Sequence, residues 1–382
     1  MRTQVAIVGA GLSGLYAAYL LAQAGVACRV LESRDRIGGR VLSVGLDDRS
    51  ATPGAERGPY DLGPAWIWPD AQPLVRNLVT EMGIANFAQQ TEGAFLVERS
   101  RLERPQRYAR GYNSQPPSMR LAGGMRSLAE AVASRLPPST VQLSARVKGV
   151  CLDTAGSVQI EAASAAGSFI LEAEVVILAV PPRLASRCIQ FAPTLPRPAQ
   201  AALDAVPTWM AAHAKVLAIY ERPFWRDQGY SGSATSSIGP LAEVHDASPV
   251  EGLPALFGFV GLPAAARREM GPEALKRLVL AQLVRLFGND AAQPAAVHLV
   301  DWASDPDTAT PEDSLPPSGH PSYGPPPEVG EIWKRRLAFA GTEVAPCNGG
   351  YLEGALEAAV AAVGAVLKDP DPARDQRTVS GY

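Results

Sequence analysis

Gly9, Gly11 and Gly14 separate the short apolar run Val5-Ala6-Ile7-Val8 from a helical pattern that continues to about Gln23, and a second apolar run from Cys28 to Leu31 ends in Glu32. This order predicts a strand, a tight glycine turn, a helix and a second strand. Such a unit suits a dinucleotide. Gly9 permits the turn, Gly11 lets the backbone approach a pyrophosphate, Gly14 lets helix and strand pack closely, and the first helical amides face the negative charge. Glu32 is spaced to hold the hydroxyls of an adenosine ribose, and its carboxylate would repel the additional phosphate of NADP. A glycine turn alone is weak evidence; the strand, helix, second strand and terminal acid together make the case.

Beyond Glu32, Arg34 leads to a second glycine bend, Gly38-Gly39-Arg40, whose guanidinium is suited to a phosphate. A surface turn with solvated charges is the plainer alternative. Far along the chain, Lys215 lies inside the apolar strand pattern His213 to Tyr220, where an unpaired ammonium is costly. It shares one face with Leu217.

The positioning elements read as α/β. Helical patterns run from Gln72 to Met82, from the opening segment Leu121–Leu128 to about Leu136, and from Pro272 to Phe287. Short strands within Val141–Val150, Ser157–Ile160 and Phe169–Leu171 predict a meander, and Val175–Val180 reads as a buried strand ending at Pro181-Pro182. Small-residue loops are expected from Gly229 to Gly239, strands at Ala255–Val260 and Val297–Trp302, and no regular element in the proline-rich stretch Ser304–Gly330. Arg99, Arg101, Arg104, Arg107 and Arg110 form a charge run expected to be a solvated face; its rival reading is a clamp for a substrate carboxylate.

These motifs resemble those of the flavin-containing monoamine and polyamine oxidases. GAGLSG and LESRDRIGGR look like the family's two N-terminal FAD motifs, Asp61-Leu62-Gly63-Pro64-Ala65-Trp66 like the segment beside the flavin ring, and AGTE with GYLEGAL like its C-terminus. Gly123-Gly124-Met125 and Lys215 followed by Pro223-Phe224-Trp225 continue the likeness. The resemblance covers nearly the whole chain and is weakest over Glu98–Met119 and Ser304–Gly330. It implies an FAD/NAD(P)-binding Rossmann-like domain with a second α+β substrate domain containing a mixed sheet. The implied division gives the FAD-binding domain 1–75, 119–205 and 331–382, and the substrate domain 76–118 and 206–330.

The same resemblance implies roles. Gly9, Gly11, Gly14, Glu32, Arg34, Gly39, Arg40, Gly63, Pro64, Ala65, Gly341, Glu343, Gly350 and Leu352 would bind FAD, with Val147 meeting adenine through its backbone. Lys215 would hold a water at flavin N5. Tyr351 would form one wall of an aromatic cage for the amine, with Trp66 or Tyr323 as candidates for the rest; a core tryptophan is the alternative for Trp66. Pro64 departs from the family's second glycine, removing an amide and restricting Gly63. His320 and Tyr323 align loosely. The stretch holding them has no cysteine where monoamine oxidases attach the flavin, so non-covalent FAD is expected.

The expected reaction is oxidation of a primary or secondary amine to an imine, with oxygen as electron acceptor. An amino acid oxidase, a desaturase acting on C–C bonds, or a flavin-bound protein without amine oxidase activity are the alternatives.

The composition agrees with this reading. The 382 residues, 47% of them hydrophobic, suit two domains with sizeable cores. A formal charge of −3 offers no basic footprint for nucleic acid. Cys28, Cys151, Cys188 and Cys347 are widely spaced, which argues against a disulfide framework and a structural zinc site. The first strand follows Met1 closely, no apolar run has spanning length, and a cytoplasmic protein without a secretory leader or membrane tail is expected.

Overall fold

The computed structural model describes residues 1–47, 58–109, 115–154 and 156–368. The chain forms two compact units, each assembled from separate stretches: Met1–Gly39, Ala131–Thr208 and His320–Tyr382 make the first, Arg40–Glu130 and Trp209–Gly319 the second. Residues 40–75, grouped with the FAD-binding domain by the resemblance, thus cluster with the second unit. Local pairing explains this: Ser43–Val44 pairs with Tyr60–Asp61, and the amides of Leu62 and Gly63 both donate to the Leu42 carbonyl.

The first unit is built on a five-stranded parallel sheet in the order Leu337–Phe339, Val175–Leu178, Val5–Val8, Cys28–Leu31, Val141–Gln142. Val5–Val8 and Val175–Leu178 are continuous apolar runs because both faces of a parallel sheet are covered. The helices Leu12–Gln23 and Leu352–Lys368 pack against each other. A second, four-stranded sheet in the order Gly167–Ala173, Val158–Ser164, Arg146–Leu152, Gln190–Ala192 buries Val150, Ile160, Leu171 and Phe191 in the same core as Ala6, Val176 and Phe339.

Here the expected meander needs correction at one end. Val141–Gln142 belongs to the parallel sheet, beside Cys28–Leu31, and the meander begins only at Arg146. Ser144 divides them: its φ of 52° turns the chain, and its amide donates to the Arg34 carbonyl.

The second unit carries a seven-stranded mixed sheet in the order Ala296–Asp301, Ala214–Ile219, Ala255–Val260, Leu241–Asp246, Tyr230–Ser236, Ala94–Glu98, Gln106–Tyr108. Only Tyr230–Ser236 with Ala94–Glu98 is a parallel pair. The helix Pro272–Phe287, predicted with these bounds, buries Leu275, Val279, Leu283 and Leu286.

The stretch expected as small-residue loops, Gly229 to Gly239, is instead largely the strand Tyr230–Ser236. Glycine at 232 is needed both for its backbone, which takes φ of 79° at an irregularity in the strand, and for packing. A side chain on Gly232 would lie 2.9 Å from both Asp246 Cβ and Trp225 Nε1. No helix among the described residues is long and apolar enough to cross a membrane.

Candidate functional site

The parallel sheet of the first unit delivers the glycine turn. Gly9, with φ of 100°, leaves the strand, and its carbonyl is so close to the next turn that a Cβ on Gly14 would lie 2.0 Å from it. Gly14 therefore serves the packing of helix on turn, as the sequence predicts. Gly11 differs: nothing lies within 4 Å of the position its Cβ would take. The backbone is bare on that side, beside the N-terminus of the twelve-residue helix Leu12–Gln23, which has no side-chain cap. The Ser13 hydroxyl donates to the Ala340 carbonyl, joining this turn to the C-terminal motif.

The second glycine bend closes over the first. Gly38 bridges Gly11 and its amide donates to the Ala10 carbonyl, while a Cβ on Gly39 would stand 3.3 Å from Gly11 Cα. Glu32 is only 3% exposed. Its carboxylate accepts from the amides of Ala10 at 2.7 Å and Arg34 at 2.9 Å, which fixes it at the strand end. The Ser33 hydroxyl also donates, at 3.3 Å, and since a carboxylate offers about four acceptor positions, these three bonds leave capacity for a ribose hydroxyl. The Arg34 guanidinium lies 3.7 Å from Glu32. Val147 is buried in the strand Arg146–Leu152, whose approach is held by the Ala145 amide donating to the Glu32 carbonyl.

At the other end of the chain, a Cβ on Gly341 would sit 2.6 Å from the Val180 carbonyl oxygen, and buried Glu343 follows it. Gly350 takes φ of 84° and aims the chain into the helix that begins at Leu352. These features fit a dinucleotide: bare backbone at Gly11, a helix terminus without a side-chain cap, and a fixed acid one strand away.

The same unit holds an aromatic group. His320 stacks face to face on Tyr351, with centroids 4.9 Å apart and 6° between planes. Tyr323 meets His320 edge-on at 5.7 Å, and its hydroxyl donates to the Pro207 carbonyl. A Cβ on Gly349 would lie 2.5 Å from Tyr323 Cβ, so Tyr323 is packed on the backbone that precedes Tyr351. The structure brings Tyr323 and Tyr351 into one cluster, with His320 between them. Tyr351 retains 41% exposure.

Lys215, Trp66, Arg40 and Gly63-Pro64-Ala65 lie in the second unit. Lys215 projects from the strand Ala214–Ile219, second from the edge of the mixed sheet, is 2% exposed, and donates to the Gly63 carbonyl at 3.1 Å. Its nitrogen stands 3.8 Å from the Phe257 ring centroid and 5.7 Å from that of Phe259. Burial pushes the amine down to about 7; Asp61 opposes that fall, and Arg120 adds to it. A lysine poised near neutrality is both ion and donor within the working range.

Trp66 packs among His245 at 5.0 Å, Phe257 at 5.4 Å and Phe259 at 6.5 Å, and its indole donates to Gln89 at 2.7 Å. It is partly buried and belongs to the same aromatic surroundings as Lys215. Arg40 donates to the Trp209 carbonyl at 3.2 Å. A Cβ on Gly63 would meet the Arg40 carbonyl oxygen at 2.1 Å, so glycine at 63 is a packing requirement, and Pro64 follows as the residue that restrains the carbonyl Lys215 uses.

Two buried charged residues of the same unit, Asp61 and Arg120, carry no individual role in the sequence. Asp61 accepts from the Ser43 hydroxyl at 2.5 Å and the Met125 amide at 2.9 Å through one carboxylate oxygen. Arg120, 3% exposed, donates to the Ser248 carbonyl. A cation in the apolar setting Met119–Leu121 was the available signal. The arginine run offers no interior clamp: Arg99, Arg101, Arg104 and Arg107 are all exposed, and Arg107 lies over Tyr230; Arg110 is outside the described residues.

The family model for flavin containing amine oxidoreductases matches residues 98–367, and a model for the NAD(P)-binding Rossmann-like domain matches residues 7–82. The chain belongs to the flavin-containing amine oxidoreductases. Membership makes FAD the dinucleotide that the glycine turn and Glu32 fit, and makes the protein an FAD-dependent amine oxidase.

Among relatives of this oxidoreductase, a probable flavin-containing monoamine oxidase A from Dictyostelium discoideum is 25% identical over 92% of this chain and 95% of its own. Putrescine oxidase from Kocuria rosea is 26% identical over 80% and 83%. An L-amino acid dehydrogenase from Synechocystis is 30% identical, over 66% of this chain and 52% of its own. A structure of putrescine oxidase bound to putrescine superposes with a TM-score of 0.78, at 24% identity, covering 97% of this chain and all of the other, which establishes the shared fold.

Proposed function

We propose that this amine oxidase converts a primary or secondary amine to an imine, which water then hydrolyses, with oxygen as the final electron acceptor. The Tyr351–His320 stack carries this reading: a half-exposed aromatic surface at the head of the C-terminal helix suits the apolar flank of an amine.

Bound FAD supplies a two-electron acceptor for the hydrogen on the carbon beside the amine nitrogen. The chain's own contribution is binding, orientation and protonation. Gly9, Gly11, Gly14, Glu32, Arg34, Gly39, Arg40, Gly341, Glu343, Gly350 and Leu352 hold the cofactor, with backbone contributions from Val147 and Gly63-Pro64-Ala65. No covalent link is assigned, since Ser304–Gly330 contains no cysteine.

Tyr351 orients the amine, and an aromatic surface favours its neutral form to the extent that binding desolvates it, because desolvation disfavours ammonium. Tyr323 acts by packing against His320 and Gly349. Trp66 contributes from the aromatic group around Phe257. Lys215 holds a water for the flavin, its own amine anchored by the Gly63 carbonyl.

The amino acid alternative asks for a cation to receive a carboxylate. Exposure of the four described arginines in the run 99–107 favours amines instead. The test is aerobic turnover with monoamines, diamines and amino acids, following oxygen uptake with hydrogen peroxide and aldehyde release. Equimolar oxygen loss and peroxide with an amine is expected. Turnover of amino acids alone would overturn the substrate class, and turnover only with an artificial acceptor would overturn the role of oxygen.

A further inference from the structure

Glu357 lies within the C-terminal helix Leu352–Lys368, yet its carboxylate engages the chain ahead of that helix. One oxygen accepts from the backbone amides of Cys347 at 3.3 Å and Asn348 at 3.0 Å, and the other accepts from the Asn348 side-chain amide at 2.6 Å. Helix side chains lean toward the N-terminus, which lets an acid at this position reach back over the first turn. The positive end of the helix dipole favours a carboxylate there.

Asn348 passes this hold on to Tyr351. Its carbonyl accepts the Tyr351 amide at 3.2 Å, and the Tyr351 carbonyl accepts the Thr342 hydroxyl at 2.8 Å. The Asn348 peptide has no room to shift, since a Cβ on Gly354 would lie 2.0 Å from its carbonyl oxygen. Gly349 is packed against Tyr323, and Gly350 takes the left-handed φ of 84°. Tyr351 is 41% exposed, so the core does not fix its direction; the turn from Asn348 does, together with the His320 stack.

We propose that Glu357 is a positioning residue for Tyr351, holding the Asn348 turn so that the tyrosine ring presents its surface to the amine. This rests on the assignment of Tyr351 to the amine made above. Glu357 acts through the backbone and has no part in the chemistry itself. A plain cap of the helix start is the competing role, and it would add stability without touching the reaction.

The contact between Glu357 and Asn348 can be reversed. In Glu357→Gln the carboxamide oxygen still serves the two backbone amides, but its NH2 faces the NH2 of Asn348; in Asn348→Asp two carboxylates face each other. Joined in one chain, the two substitutions restore a donor and an acceptor with the direction exchanged.

The experiment measures FAD content, melting temperature and kcat/KM per bound flavin in the holoenzyme, with benzylamine, cyclohexylamine and putrescine as probes. The proteins are wild type, Glu357→Gln, Asn348→Asp, the double exchange, Tyr351→Ala, and Tyr351→Ala combined with Glu357→Gln. Each single exchange is expected to lower kcat/KM per flavin about fivefold or more, mainly through KM, and the double exchange to return it to within about twofold of wild type. In the Tyr351→Ala background, adding Glu357→Gln is expected to change kcat/KM by less than about twofold, because the surface it positions is gone.

Wild-type kcat/KM per flavin in Glu357→Gln with a lowered melting temperature is the behaviour of a plain cap and overturns the proposal. An equal fold-loss from Glu357→Gln in both Tyr351 backgrounds also overturns it. A wild-type kcat/KM in Tyr351→Ala instead overturns the role of Tyr351 on which the proposal stands. Should Glu357→Gln lose its flavin, Asn348→Ala, which removes only the side-chain donor, takes its place, and wild-type kcat/KM per flavin there overturns the proposal.

Discussion

The His320 imidazole lies parallel to the Tyr351 ring at a centroid separation of 4.9 Å, so no substrate carbon fits between them. An amine must therefore meet the pair at its open edge or face, with His320 acting as backing to Tyr351. Truncating Tyr351 to alanine removes the surface itself, and kcat/KM for the true amine is expected to fall about tenfold or more, near 1.4 kcal/mol. His320→Phe retains a flat partner and is expected to keep most activity. Steady-state kinetics on both variants check this; a wild-type kcat/KM in Tyr351→Ala contradicts the role.

Lys215→Met keeps the length and apolar stem of the side chain and deletes its donor. Flavin is expected to remain bound, while reduction by amine, reoxidation by oxygen, or both slow by about tenfold. Stopped-flow measurement of the two half-reactions checks it. Unchanged rates in both contradict the assignment.

The same substitution has a signature in stability. Lys215 has an ordinary value of 10.5 and is held near 7 in the native protein. Between those values the unfolded chain binds a proton that the native chain does not, so wild-type stability rises with pH across this window. The cost of the buried ammonium is fully present below about pH 7. Lys215→Met lacks this titration, so its melting temperature relative to wild type is expected to be highest near pH 6 and to decline toward pH 10, a swing on the order of a few kcal/mol. A constant difference across the range contradicts the depressed value.

Gly11 and Gly14 separate binding from folding. A Cβ at Gly11 meets no protein atom within 4 Å, whereas one at Gly14 collides with the Gly9 carbonyl at 2.0 Å. Gly11→Ala is expected to weaken FAD binding at least about tenfold while leaving the melting temperature of the apoprotein nearly unchanged. Gly14→Ala is expected to lower both. Flavin titration and thermal melts distinguish them; equal apoprotein destabilisation by the two variants contradicts a ligand-facing Gly11.

Much of this site was legible because its glycines and its strand lysine break strong local patterns. Gly9, Gly11 and Gly14 follow an apolar strand at fixed intervals into a helix, and Lys215 interrupts a second apolar strand, so each signal lies within a few residues. The helix Pro272–Phe287 was equally local, opened by proline and closed by Gly288. Where meaning depends on distant partners, the sequence was silent. Tyr230–Ser236 reads as loop because its small residues are selected by Trp225 and Asp246, which pack on Gly232. Val141–Gln142 is too short to reveal which sheet it joins. Asp61 and Arg120 look ordinary until Ser43, Met125 and Ser248 fix them, and the contact of His320 with Tyr351 joins residues 31 positions apart, on either side of the strand Leu337–Phe339.

The most direct test of amine oxidation is anaerobic mixing of the FAD-loaded protein with a panel of primary amines, secondary amines, polyamines and amino acids, following flavin absorbance. Rapid bleaching by at least one amine, slowed in both Tyr351→Ala and Lys215→Met, is the predicted result. A flavin that no amine reduces, or one reduced only by amino acids, would contradict it.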